Sequence, residues 1–147
     1  MIKWLRLTIV LLGLFVGGCA LNGYQQVQYD EYPAVRQMFD ITFGWKQHIT
    51  DNAVIISGYA RNNRYFIVQD LELTISLVAE NGQVKDTETF FFLPVELRQD
   101  ENSRFSVKLK ARPEPGDKLR FVYRYKYVED SETGQTWLNS FEVKARE

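Results

Sequence analysis

From Leu119 to Tyr127 the chain alternates without a break: Leu119, Phe121, Tyr123, Tyr125 and Tyr127 are large and apolar or aromatic, with Arg120, Val122, Arg124 and Lys126 between them. A period of two is the repeat of a pleated strand, whose successive side chains point to opposite faces. The segment is therefore a strand with one face buried and the other wet. Leu71, Leu73, Ile75 and Leu77 follow the same rule against Glu72, Thr74 and Ser76, as do Phe105, Val107 and Leu109 against Ser106, Lys108 and Lys110. Strands of this kind bury their apolar faces only by closing on a second layer, which points to a sheet packed on a sheet.

Turn residues divide the chain from Asp40 onward into about seven such segments. The first is expected at 41–49 and the second at 53–61, followed by the one around Leu71 to Leu77. The rest are 83–92, the one around Phe105 to Leu109, the one from Leu119 to Tyr127, and 136–145. Asn81-Gly82 predicts a type I′ hairpin, since both residues tolerate positive φ. Pro113-Glu114-Pro115-Gly116 and Asp130-Ser131-Glu132-Thr133-Gly134 predict surface turns. The fold class is all-β, an immunoglobulin-like antiparallel β-sandwich of about seven strands, with a small closed barrel as the structural runner-up. Within 53–61, Val54, Ile56 and Gly58 face opposite to Ile55, Ser57 and Tyr59.

Cys19 is the only cysteine, so this core stands without an internal disulfide. With 45% hydrophobic residues the chain has enough apolar surface to form one. The formal net charge of −1 becomes more acidic once Lys3 and Arg6 are removed with residues 1–18, and nucleic acid is not implied as a partner.

Ahead of Cys19, Lys3 and Arg6 precede the apolar run Leu7-Thr8-Ile9-Val10-Leu11-Leu12-Gly13-Leu14-Phe15-Val16, and Gly17 and Gly18 follow it. This is the layout of a signal peptide. As a helix, 7–18 would reach about 18 Å, well short of the roughly 30 Å hydrocarbon core. Val16-Gly17-Gly18-Cys19 resembles the lipobox of bacterial lipoproteins. That resemblance implies a diacylglyceryl group on the Cys19 thiol, cleavage by signal peptidase II between Gly18 and Cys19, and acylation of the new amino terminus, so that palmitate-type chains hold the domain to a membrane. Ala20, Leu21 and Asn22 lack the aspartate that marks inner-membrane retention in enterobacterial lipoproteins, so the resemblance implies the outer membrane, facing the periplasm, in a host that has one. The expected organisation is a signal peptide at 1–18, a lipidated tether at 19–39 and the sandwich at 40–147. In the tether, Asp30, Glu31 and Pro33 are suited to start a short helical turn through Met38. Tyr24, Tyr29 and Tyr32 are expected to pack back on the domain, with an exposed contact surface for a partner as the alternative.

Four stretches in the body carry a further likeness: Ser57-Gly58-Tyr59-Ala60-Arg61-Asn62, Leu71-Glu72-Leu73-Thr74-Ile75-Ser76-Leu77, Asn81-Gly82-Gln83-Val84 and Phe105-Ser106-Val107. They resemble the FxLYD-type immunoglobulin-like domains common in prokaryotic lipoproteins, a family with no general enzymatic assignment. At the namesake motif, Ile75-Ser76-Leu77-Val78-Ala79 keeps only the central leucine.

Catalytic chemistry finds little to use. His48 is the sole histidine, so any Ser-His-Asp arrangement rests on it alone, and its place beside Thr50 and Asp51 reads as a surface histidine. Asp70, Glu72, Glu88 and Glu96 read as solvated carboxylates rather than a glycosidase pair, and Glu129-Asp130 with Glu132 matches no calcium template. No cofactor or metal is expected. Lys108, Lys110, Arg112, Arg120, Arg124 and Lys126 form the densest basic set, and Arg120, Arg124 and Lys126 share one face, which reads first as a wet face that blunts sheet edges and second as a place where an anionic partner would dock. The function expected is a non-enzymatic, membrane-anchored envelope module that binds a protein partner as a scaffold or assembly accessory. The alternative is a lipid-anchored glycan or small-molecule receptor with Trp137, Tyr59 and Tyr65 lining a concave patch, and a hydrolase ranks third.

Overall fold

The structure is a computed structural model that describes residues 27–128 and 134–146. The signal peptide, Cys19, Tyr24 and the charged turn at 129–133 lie outside the described residues. After a one-turn 3-10 helix at Tyr29–Glu31 come nine strands: β1 Ala34–Gln37, β2 Ile41–Ile49, β3 Val54–Asn62, β4 Ile67–Val78, β5 Val84–Phe91, β6 Glu96–Leu97, β7 Asn102–Leu109, β8 Lys118–Val128 and β9 Gln135–Lys144. They form two antiparallel sheets, one in the order β1-β2-β3-β7 and the other β5-β4-β8-β9, with β6 also paired to β4. This is an immunoglobulin-like sandwich.

All seven expected strands are present, and β1 and β6 are additional. Both are too short to show a period, which is why the pattern did not reveal them. The helical turn expected over 30–38 is confined to Tyr29–Glu31. Pro33 accounts for this: a residue before proline is pushed out of the α region, and Tyr32 sits at φ −118°, ψ 90°. Beyond Pro33 the chain becomes β1, paired with β2 from Ala34↔Trp45 to Gln37↔Thr42. Residues 27–39, expected to be tether, are thus packed on the sandwich.

Between the sheets the alternating residues meet as the pattern requires. Ile41, Phe43 and Trp45 from β2 and Leu73, Ile75 and Leu77 from β4 pack on Phe105, Val107 and Leu109 and on Leu119, Phe121, Tyr123 and Tyr125. Trp45 lies 5.0 Å from the Phe121 ring, which stacks on Phe141 at 4.7 Å. Two polar groups are built into this core. Asp40, 1% exposed, accepts hydrogen bonds from the hydroxyls of Tyr123 at 2.6 Å and Tyr125 at 2.9 Å. Burial, reinforced by that carboxylate, pushes both phenols far above their ordinary range. Asn62, fully buried, donates to the Phe66 and Leu97 carbonyls and accepts from the Arg64 amide, tying the β3–β4 turn to β6.

The hairpin after β4 differs from the expected type I′ turn. Gly82 takes φ +88° but Asn81 does not have positive φ, and the Gly82 amide donates to the Ala79 carbonyl. This closes a four-residue turn with glycine in the left-handed position, the arrangement that accompanies a bulge. The β4–β5 register shifts at Leu77/Val78 accordingly.

At the β7–β8 turn, Gly116 has φ +92° behind Pro115, as a type II turn requires. Nearly buried Asp117 accepts from the Glu114 amide and from Lys85 Nζ, each at 2.8 Å, and Lys85 also pairs with Glu114. Burial alone would raise the Asp117 pKa, but the lysine and the amide outweigh it and hold the carboxyl below its ordinary 3.8. A depressed carboxylate contributes stability that is present above its unfolded value and lost as pH falls through the folded one. Asp117→Asn is therefore expected to be less stable than wild type in urea at neutral pH, with the gap closing as pH drops below 3.8. A gap that stays constant with pH overturns this account.

Candidate functional site

The wet face of the β5-β4-β8-β9 sheet carries a lateral row: Phe91 on β5, Glu72 on β4, Arg124 on β8 and Leu138 on β9 stand in register. Its centre is a bidentate ion pair, with the Arg124 guanidinium on both Glu72 carboxylate oxygens at 2.8 Å. Its two ends are apolar, Phe91 and Leu138 each being 65% exposed. Next to the row, Lys126 Nζ reaches Asp70 at 3.0 Å. Asp70 sits at φ +51° in an irregularity of β4, where its amide donates to the Val95 carbonyl. That irregularity opens a groove of about 330 Å³, bordered by Phe91, Leu93 and Val95 on one side and by Arg124, Lys126 and Thr136 on the other. Leu93 is 77% exposed and Val95 54%.

The sequence-predicted site residues fall into three groups. Arg124 and Lys126 line the groove and Arg120 stands on the same face, paired to Glu142 at 2.7 Å. Each of these cations has an acid on a neighbouring strand, so the stripe is a self-neutralised ladder. Exposed pairs of this kind contribute little to stability, because water and salt screen them. Lys108 and Lys110 lie on or just past β7, in the other sheet.

Tyr59, expected in an exposed patch, is 4% exposed on the outer face of the other sheet. The chain ahead of β1 covers it: Val27 and Tyr32 bury it, and the Tyr29 and Tyr32 rings meet it edge-on at 5.0 and 5.4 Å. Burial, with the neighbouring tyrosines, raises the Tyr59 phenol above its ordinary value. Its ring needs Gly44 beneath it, for a β-carbon there would come within 2.5 Å of the ring carbon bearing the hydroxyl. Two of the three tether tyrosines thus pack back as expected, and the third lies outside the described residues.

Tyr65 stands in the β3–β4 turn, where the Arg64 guanidinium lies 5.7 Å from its ring and 4.1 Å from Phe39. Trp137 is on β9, opposite Tyr125. Tyr59 is thus covered on the outer face of one sheet, Tyr65 lies in the β3–β4 turn and Trp137 on an edge strand of the other sheet.

Sequence reasoning overlooked the apolar rim. A signal was present: Phe90-Phe91-Phe92-Leu93 is a run of four apolar residues in an alternating strand, so some of them must face water. Among the described residues no cluster of three or more His, Cys, Asp or Glu side chains is placed to hold a metal, and no helix is long and apolar enough to cross a membrane.

No family model matches this chain, and no curated protein matches it. Among solved structures it is similar to the yeast GGA1 GAE domain, at 9% identity and a TM-score of 0.45, over 74% of this chain and 96% of that one. It is also similar to the GAE domain of GGA2p from Saccharomyces cerevisiae, at 12% identity and a TM-score of 0.42, over 75% and 96%.

Proposed function

We propose that this chain is a non-enzymatic binding module of the bacterial envelope, held to a membrane by lipid on Cys19, and that a protein partner docks on the groove beside Leu93. The exposed rim carries the reading. Phe91, Leu93 and Val95 are three large apolar side chains side by side in water, next to a groove whose charges already satisfy one another. Contiguous exposed apolar surface of this kind marks interaction sites. The paired ions suit a polar border that excludes wrong partners more than a reactive centre. Val16-Gly17-Gly18-Cys19 supports the anchor, since two or three acyl chains hold a protein where one does so only marginally.

Two measurements test the two halves separately. Wild type is expected to take up labelled palmitate and to sediment with membranes, and Cys19→Ser to take up none. An intact, unmodified amino-terminal segment in mass spectra of the cellular protein overturns the anchor. A photo-crosslinking residue at position 93 is expected to give discrete protein adducts in cells, with none from position 87 on the same face. Phe91→Asp should reduce the adducts at least about tenfold, as loss of a central contact does. Equal adducts from both positions overturn the docking site.

A further inference from the structure

The sandwich is closed on one side and open on the other. On the closed side β5 and β7 approach each other, and the Lys110 amide donates to the Asp86 carboxylate across the gap. On the open side β1 and β9 are the edge strands, and β1 covers only part of its neighbour. Its ladder with β2 ends at Ala34↔Trp45, because Pro33 has no amide hydrogen to continue it and the chain turns away to lay Tyr32 on Tyr59. The last four residues of β2, Lys46, Gln47, His48 and Ile49, pair with β3 on one side and, among the described residues, with no strand on the other.

Where β1 is missing, the space between the sheets reaches the surface as a groove of about 600 Å³, lined by Val35, Trp45, Gln47, Ile49, Val143 and Ala145 among others. Two of these bury a polar atom without a partner. Trp45 is 3% exposed and its Nε1–H finds no acceptor among the described residues, and Gln47 Oε1 finds no donor. A buried polar atom left unpaired costs about 1–3 kcal/mol, so such atoms point to a ligand that supplies the missing bond. The rim is cationic: Lys144 and Arg146 line the groove, and neither has an acid within ion-pair distance among the described residues. The nearby carboxylate of Glu142 is already held by Arg120 and Lys118, and Lys46 is held by Glu31.

We propose that this groove is a strand-acceptor site, in which an extended, acidic peptide segment of a partner protein continues the line of β1 along the free edge of β2. A strand there hydrogen-bonds to the backbone of Lys46–Ile49, about 13 Å of edge or some four to five residues of ligand. Alternate ligand side chains point inward between Ile49 and Val143. Apolar β-branched residues fill that space, and a threonine hydroxyl offers both the acceptor that Trp45 lacks and the donor that Gln47 lacks. Acidic flanking residues answer Lys144 and Arg146. The site is separate from the groove beside Leu93 and stands whether or not that groove is used.

The test uses the detergent-extracted full chain labelled with nitrogen-15 and a blocked hexapeptide, Asp-Val-Thr-Val-Thr-Asp. The expected result is saturable binding that moves the Trp45 indole N–H resonance and leaves that of Trp137 in place. N-methylation of alternate peptide amides, which removes backbone hydrogen bonds but keeps the side chains, should weaken binding at least tenfold. So should Lys144→Glu combined with Arg146→Glu, two exposed substitutions that spare the core, while a peptide with lysine in place of aspartate should bind that variant better than wild type. No binding at millimolar peptide overturns the proposal. Binding insensitive to N-methylation, or that moves Trp137 instead of Trp45, does so equally, as does a Trp45 resonance already shifted by this chain's own residues 20–26, detected by its return to place when they are replaced with a Gly-Ser stretch.

Discussion

Asp40→Ala is expected to lower the unfolding free energy by about 3–5 kcal/mol, a large share of a typical domain's stability. The carboxylate is buried, makes no ion pair among the described residues and is held by two tyrosine hydroxyls from β8. Alanine leaves the Tyr125 hydroxyl without its carboxylate partner and the Tyr123 hydroxyl with Asn139 alone, at about 1–3 kcal/mol for a buried group left unpaired, and adds a cavity. Tyr123→Phe leaves the carboxylate in place with one donor fewer, which should cost about 1.5–3 kcal/mol as a lost bond to a charged group. Urea titration of both variants gives the order wild type, Tyr123→Phe, Asp40→Ala. An Asp40→Ala variant as stable as wild type would show that the trio holds nothing together.

Gly58→Ala is expected to be nearly as severe, about 3 kcal/mol or more, through overpacking rather than loss. Gly58 is in register with Trp45 on one side and Phe105 on the other. A β-carbon there overlaps the carbonyl oxygen of Gly44 and comes within 2.7 Å of the Phe105 ring. The oxygen is backbone in the middle of a sheet and cannot step aside. A β-carbon at Gly44 meets the Tyr59 side chain rather than backbone, and that ring can yield only by displacing the tyrosines packed over it, so the cost of Gly44→Ala should be smaller and should come with release of Tyr29 and Tyr32. Thermal unfolding ranks the two, and limited proteolysis ahead of β1 separates them. If Gly58→Ala melts with wild type, the sheet is softer here than its register implies.

The strands were legible because their period is two and their faces are chemically distinct; Leu119 to Tyr125 specifies its own register by burying every second residue. Position-specific events were not legible. Nothing local marks Asp40 as the partner of Tyr123 and Tyr125, since the contact joins residues more than eighty positions apart. Tyr59 has the alternation of a wet-face residue and is buried only because Val27, Tyr29 and Tyr32 fold over it. Arg120, Arg124 and Lys126 do share a face, but their neutralisation by Glu142, Glu72 and Asp70 depends on which strands lie beside β8. The groove at Trp45 exists because β1 stops at Pro33, and a four-residue strand leaves too short a trace in the pattern to be seen.

The docking of Val27 and Tyr32 on the outer sheet also sets a leash length. With an anchor at Cys19, eight peptide units separate the bilayer surface from the first residue held by the fold, a reach of about 28 Å at full extension. Had the chain been free as far as Asp40, the same arithmetic would allow about 70 Å. If the proposed lipid on Cys19 holds the chain, the tyrosine contacts shorten that attachment by more than half and keep the folded body within about 28 Å of chain from the bilayer surface.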